Sequence, residues 1–220
     1  MLHLVIGNKR YSSWSMRPWL VLKAFDIPFT ETVVPLRQPE TRGQILKFSP
    51  AGKVPVLIDD KTSVWESLAI IEYLAEQLPA HAIWPRDVAA RAHARSIASE
   101  MHAGFQPLRQ TLPMNLAKRY SVPVLSDELK ASIDRIEESW RAARAKFGAA
   151  GPFLYGAFSA ADAFYAPVVT RFETYQIPVA SDTALYMDAI IKHSAFRAWS
   201  EAARLEEWTI PDFEVGPAAT

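Results

Sequence analysis

Three serine hydroxyls, a phenol and a guanidinium fall within eight positions in Tyr11-Ser12-Ser13-Trp14-Ser15-Met16-Arg17-Pro18. The stretch follows an apolar run, Leu4-Val5-Ile6, and leads into a segment whose apolar positions recur at helical spacing. A strand, a hydroxyl-rich turn and a helix in that order gather side-chain and backbone donors at one helix N-terminus, which suits an anion or a thiolate. A serine there is also an ordinary N-cap, so the turn alone leaves both readings open. Val54-Pro55 is the second informative pair. A proline at the head of a short strand cannot donate to a sheet ladder, and a cis bond there leaves neighbouring backbone groups open to an extended ligand.

The chain has 220 residues and no cysteine. That removes disulfides, cysteine-based zinc and iron–sulfur sites, and Cys-x-x-Cys redox chemistry. Any thiol chemistry must use a thiol carried in by a ligand. With 24 basic and 24 acidic residues the formal net charge is zero, which argues against a nucleic acid as the main partner. The five histidines, His3, His81, His93, His102 and His193, show no metal-ligand pairing, so no metal is expected. The N-terminus lacks a basic-then-apolar signal segment and no apolar run reaches spanning length, so a cytoplasmic protein with no membrane partner is expected.

The elements that would carry these residues alternate at first. Leu2 to Ile6 reads as a strand, apolar on both faces and therefore central in its sheet. A helix follows to Phe25, with Trp19, Leu22 and Phe25 near one stripe; Pro18 suits only a first turn, which puts the start near Ser15. Phe29 to Val34 alternates like a strand, and Pro39 to Phe48 has a short helical tendency. Val54 to Ile58 and Thr62 to Trp65 make a hairpin about Asp59-Asp60-Lys61. Leu68 to Leu74 reads as a buried helix ended by Pro79.

Pro79 to Asp87 breaks the pattern with two prolines and reads as a linker. The chain then becomes almost wholly helical. A long helix is expected from Ala89 through Met101, His102 and Phe105, broken at Pro107 and continuing irregularly to Tyr120. Ser126-Asp127-Glu128 caps the next helix, with Leu129, Ile133, Ile136 and Trp140 as its core stripe. Ser159-Ala160-Ala161-Asp162 forms a capping box, which makes Asp162 a folding determinant. Pro167 bends that helix. Ala184 to Ile191 and Ala195 to Glu207 are the last helices, the second capped by Ser194. In the tail from Pro211 to Thr220, Phe213 is expected to anchor and the last few residues to be mobile.

Together these pieces resemble the cytosolic glutathione transferases, with the nearest look to the serine-type, zeta-like members that include bacterial and other maleylacetoacetate isomerases. Ser12 and Ser13 stand where that family has paired serines, Trp14 takes the place of its cysteine, Met16 that of its tryptophan, and Arg17 stands at its arginine. Val54-Pro55 looks like its cis-proline corner, and Glu66-Ser67 with Ala69-Ile70 like its acidic-serine turn. The resemblance implies an α/β thioredoxin-like N-terminal domain, residues 1–79, a linker, 80–87, and an all-α C-terminal domain, 88–220. It also implies glutathione as cosubstrate and a homodimer.

On that resemblance Ser12 is the catalytic candidate, with Ser13, Ser15 and Tyr11 as alternatives. Val54 would pair with the cysteinyl backbone of glutathione, Glu66 and Ser67 would receive its glutamyl end, Lys53 would attract its glycyl carboxylate, and Ser13 would line the same site. Arg17 would brace the first helix against an internal carboxylate. A free thiol titrates near ~8.5, and lowering that by about two units takes about 2.7 kcal/mol. One charge-assisted hydrogen bond of ~1.5–3 kcal/mol and a helix-end contribution of ~0.3–1 kcal/mol supply it without a general base. A small hydrophobic electrophile would sit against Met101, His102, Phe105 and Trp208. The implied activity is glutathione conjugation. Glutathione-dependent cis/trans isomerisation and a non-catalytic glutathione or hydrophobic-ligand binding protein are the alternatives.

Overall fold

A computed structural model describes residues 1–215 of the chain. Its first part is β1 (Leu2–Gly7), α1 (Ser13–Ala24), β2 (Phe29–Val34), α2 (Thr41–Ile45), β3 (Val56–Asp59), β4 (Thr62–Trp65) and α3 (Ser67–Gln77). The sheet order is β2-β1-β3-β4. β1 runs parallel to β2, while β3 is antiparallel to both β1 and β4. β1 is therefore internal, as its two apolar faces require. Leu4 and Ile6 join the main core with α1 and α3, and Val5 packs with Val34, Val56 and Ile45 of α2 on the other face. β1 ends at Gly7, where a Cβ would come within 2.6 Å of Leu36. The missing side chain lets Leu36 lie over the strand end.

The second part is helical: α4 (Val88–Ala103), α5 (Gln106–Thr111), α6 (Asp127–Phe147), α7 (Ala160–Thr174), α8 (Ser181–Lys192) and α9 (Ser194–Leu205), then a 3-10 turn at Pro211–Phe213. α7 is the axis of the molecule, packing against α1, α4 and α8, and nearly all of its residues are buried. Its start is fixed by the expected box. The Asp162 carboxylate accepts from the Ser159 amide at 2.9 Å and the Ser159 hydroxyl at 3.0 Å. The two parts are sewn together by the Ala160 amide donating to the Ile83 carbonyl at 2.7 Å and the Trp199 indole donating to the Lys9 carbonyl at 2.9 Å.

Several boundaries differ from expectation, each for a local reason. α1 begins at Ser13, not near Ser15, because Ser12 caps it; Pro18 lies in the second turn, where the bond it cannot make is the one to the Trp14 carbonyl. β3 begins at Val56 because Pro55 has no N–H to give the ladder. The long helix breaks at Gly104 and Phe105, and Pro107 sits harmlessly in the first turn of α5. No helix continues from Thr111 to Tyr120. α9 is capped by His193, whose Nδ1 accepts from the Ala195 amide at 3.2 Å, and Ser194 is its first helical residue. The expectation for the end of the tail lies, over residues 216–220, outside the described residues. No helix among the described residues is long and apolar enough to cross a membrane.

Candidate active site

The N-termini of α1 and α3 face a cleft with two chambers. The larger, about 580 Å³, is lined by Ser12, Ser13, Trp14, Lys53 and Val54 together with side chains of the helical part. The smaller, about 260 Å³, is lined by Trp14, Lys53, Val54, Pro55, Trp65, Glu66 and Ser67. Trp14, Lys53 and Val54 border both. Every candidate residue of the sequence reading (Ser12, Ser13, Lys53, Val54, Glu66, Ser67) thus lines one or the other chamber.

Local geometry explains each placement. Ser12 sits just before α1, its Oγ accepting from the Ser15 amide at 3.4 Å and lying 2.7 Å from the Ser15 Oγ. Ser15 is wholly buried, and its Oγ also accepts from the Gly7 amide at 3.1 Å, which ties the strand end to the helix. Ser13 is the first helical residue, and its Oγ accepts from Arg171 at 3.4 Å. The Val54–Pro55 peptide is cis. Glu66 precedes α3 with φ of 69°, a left-handed conformation unusual for a residue with a Cβ, and its side chain is half exposed. Ser67 is wholly buried and its Oγ accepts from Arg17 at 3.4 Å.

Tyr11 is buried, and its hydroxyl donates to Glu214 at 2.6 Å. Burial, then the carboxylate of Glu214, raise its pKa above the ordinary phenol value. Its proton is therefore committed away from the serines.

Arg17 corrects an expectation. It is wholly buried; among the described residues it has no carboxylate partner and its Nε has no hydrogen-bond partner, and its guanidinium lies 4.3 Å over the Trp14 ring and 4.8 Å over the Phe164 ring. Arg109 covers Trp14 as well, at 4.8 Å. Burial, then the neighbouring charges of Arg109 and Arg171, push the Arg17 guanidinium well below its ordinary value. Arg171, also fully buried, is pushed down by burial first and Arg109 second. Arg37, Lys53, Arg109 and Arg171 all line the larger chamber, and among the described residues no acidic one does.

The residues expected to face the electrophile do not line the cleft. Met101 is core, Trp208 is nearly half exposed, and neither they nor Phe105 and His102 line a chamber. His102 stands behind instead, edge-on to Trp14 at 5.2 Å, with its Nε2 3.7 Å from Glu66. The larger chamber is walled instead by Arg109, Pro113, Met114, Arg171, Ile210 and Phe213. One signal for it is present in the sequence: Arg171 is the lone cation in the otherwise apolar and small stretch Ala160–Phe172, apart from Asp162 at its start. Ile210 and Phe213 carry no such signal, because a tail's landing place depends on the completed fold.

An α/β sheet of this order followed by an all-helical domain, with a cis-proline corner and two helix N-termini on one cleft, is the thioredoxin-fold architecture of the glutathione transferases. A family profile described as glutathione S-transferase, N-terminal domain, matches residues 11–77, and one described as glutathione S-transferase, C-terminal domain, matches residues 123–202. The chain belongs to the cytosolic glutathione transferase superfamily. It is 37% identical over 107 residues to a probable maleylacetoacetate isomerase of Caenorhabditis elegans, a match spanning 49% of each chain. It is 29% identical over 194 residues to glutathione S-transferase 1 of Dianthus caryophyllus, covering 84% of this chain and 85% of that one. Among solved structures, a bacterial zeta-class maleyl pyruvate isomerase in its holo form superimposes with a TM-score of 0.71 at 22% identity, over 93% of this chain and 99% of that one. A glutathione transferase homologue from Burkholderia GL BGR1 with bound glutathione gives 0.69 at 23%, over 92% and 97%. At these identities the structural likeness shows the fold.

Proposed function

We propose that the chain is a glutathione transferase that binds glutathione in the smaller chamber and delivers its thiolate to an electrophile in the larger one. The observation that carries this reading is the convergence of Ser12, Ser13, Lys53, Val54, Glu66 and Ser67 on one cleft from three separate segments. The main chain at Val54 would pair with the tripeptide in strand fashion, and Glu66 and Ser67 would hold its glutamyl ammonium and carboxylate, the latter at the N-terminus of α3. Lys53 would draw the glycyl carboxylate as a mobile point charge. Ser12, at the head of α1, would donate to the sulfur. A second assignment gives that task to Ser13: its Oγ accepts from the Arg171 guanidinium, which leaves its proton free for a thiolate.

The cations around the larger chamber, unmatched by any acidic lining residue among the described residues, favour an electrophile that carries a carboxylate. They also support the alternative of glutathione-dependent isomerisation of an unsaturated acid, in which the thiolate adds, the former double bond rotates, and the thiolate leaves. The resemblance to zeta-like members supports a homodimer, which sedimentation equilibrium tests.

Thiolate absorbance near 240 nm (about that wavelength) on adding glutathione tests the core of the reading. The wild type is expected to ionise the bound thiol near pH 7, and Ser12→Ala to return it about two units towards its free value. If Ser13→Ala alone does so, the second assignment holds. If neither does, the serine mechanism is wrong; if glutathione does not bind, so is the whole reading. Following an unsaturated diacid by chromatography separates the two activities, because isomerisation leaves the glutathione concentration unchanged.

A further inference from the structure

The segment that follows α9 returns across the mouth of the larger chamber, and near its end the Glu214 carboxylate ties it to the body of the protein. Glu214 is gripped by three neutral donors. Its Oε1 accepts from the Tyr11 hydroxyl at 2.6 Å and the Asn115 amide at 3.0 Å, and its Oε2 accepts from the Tyr120 hydroxyl at 3.4 Å. The Asn115 amide also donates to the Phe213 carbonyl at 3.3 Å. All three donor residues are at least nine-tenths buried, so the receptor is built into the body of the protein and not into the tail. The tail's own bonds are few: a 3-10 turn in which Phe213 N–H donates to Ile210 and Glu214 N–H to Pro211. Two of its apolar side chains, Ile210 and Phe213, face inward, while Trp208 and Val215 are exposed. Ile210 is 1% exposed, Phe213 packs against the Tyr11 ring at 5.8 Å, and both line the chamber.

We propose that Glu214 is a specificity-determining residue: by clamping residues 210–214 onto Tyr11, Asn115 and Tyr120 it makes Ile210 and Phe213 a fixed wall that limits the bulk of the electrophile. The inference rests on the reading of the larger chamber as the electrophile site. Glu214 itself lines neither chamber, and its carboxylate is hydrogen-bonded to Tyr11, Asn115 and Tyr120. Its effect is exerted through the wall. Alanine at this position leaves the Tyr11 and Tyr120 hydroxyls without their carboxylate acceptor and reduces the tie through Asn115 to its bond with the Phe213 carbonyl, so the wall yields to larger ligands. Glutamine keeps an oxygen for Tyr11 and Asn115 and loses part of the tie.

The test compares wild type, Glu214→Ala and Glu214→Gln as full chains. Two α,β-unsaturated acids are used as electrophiles, one bearing a methyl and one a naphthyl group, and the association rate of anilinonaphthalene sulfonate is measured by stopped flow. In Glu214→Ala the ratio of kcat/KM for the naphthyl acid to that for the methyl acid is expected to rise at least about fivefold, the methyl acid itself being little affected. The dye is expected to enter about fivefold faster, and Glu214→Gln to lie between the other two proteins. An unchanged ratio in Glu214→Ala, or an unchanged dye entry rate, overturns the proposal. If no protein turns over either acid while the dye results are as expected, it is the transferase reading that fails and the clamp on the chamber that stands.

Discussion

Arg171 is a charge held at a cost. It is fully buried, its Nε donates to the Leu112 carbonyl and its Nη1 to the Pro167 carbonyl, each at 2.8 Å, and among the described residues no carboxylate answers it. A buried cation satisfied only by neutral oxygens is poised to gain when an anion arrives. Arg171→Met is expected to lower kcat/KM for carboxylate-bearing electrophiles roughly 10- to 100-fold, the ~1.5–3 kcal/mol of a charged hydrogen bond, and to change that for neutral ones much less. Steady-state kinetics on a matched acid and amide pair check this. His102 gives a pH prediction. Burial, then Arg17, hold its pKa below the ordinary histidine value, and burial does the same first for His93 and His193. An unfolded histidine titrates near ~6.5, so between the lowered native values and that point the unfolded chain binds more protons and stability rises with pH. The contribution is complete above that point and lost as pH falls below it. His102→Gln is expected to bring the urea midpoints at pH 7.5 and pH 5.5 closer together.

α7 shows what a single helix start can organise. Asp162, wholly buried, accepts from the Leu154 amide at 3.1 Å and the Tyr186 hydroxyl at 3.1 Å besides its two bonds from Ser159. It therefore fixes the loop before α7 and the face of α8 at once. Burial pushes its pKa up to about 6 against the pull of those four donors. The sign follows: protonation stabilises the folded state below the unfolded value of ~3.9, and that advantage is lost as pH rises through about 6. Asp162→Asn turns one acceptor into a donor facing donors, with about 1–3 kcal/mol lost for each one left unmatched. Ser159→Ala is expected to cost ~0.5–2 kcal/mol. Urea denaturation at pH 7.5 checks both, and the asparagine variant must be the less stable of the two.

Trp199 ties the two halves of the molecule. It is wholly buried on α9, yet its ring meets Trp19 of α1 at 5.2 Å and its indole N–H reaches the Lys9 carbonyl. Beside it the Glu206 carboxylate accepts from the Lys9 amide and, at 3.0 Å, the Arg10 amide. With this much shared core, the two parts are expected to unfold as one unit, far-UV dichroism and tryptophan fluorescence giving the same midpoint. Trp199→Ala is expected to cost ~3–5 kcal/mol while keeping the transitions coincident. Separate midpoints in the wild type would show that the join is weaker than its contacts imply.

Periodicity and punctuation carried the elements, because side-chain spacing and caps act over a few residues. The central first strand, the proline before the third, and the Ser159–Asp162 box were all readable from neighbours in the chain. The convergence of the serine turn with Val54, Glu66 and Ser67 was legible only through the family resemblance, since no local spacing rule brings three separate segments to one cleft. The helical side of the larger chamber was not readable. Met101, Phe105 and Trp208 were plausible by type, but Arg109, Arg171, Ile210 and Phe213 took the place because helix packing chose which face of each segment turned inward. Arg17 found two aromatic rings in place of a carboxylate for the same reason. Bonds between residues some 200 positions apart, such as Tyr11 to Glu214, come from the three-dimensional fold, since no local rule relates the two ends of a chain until its core has closed.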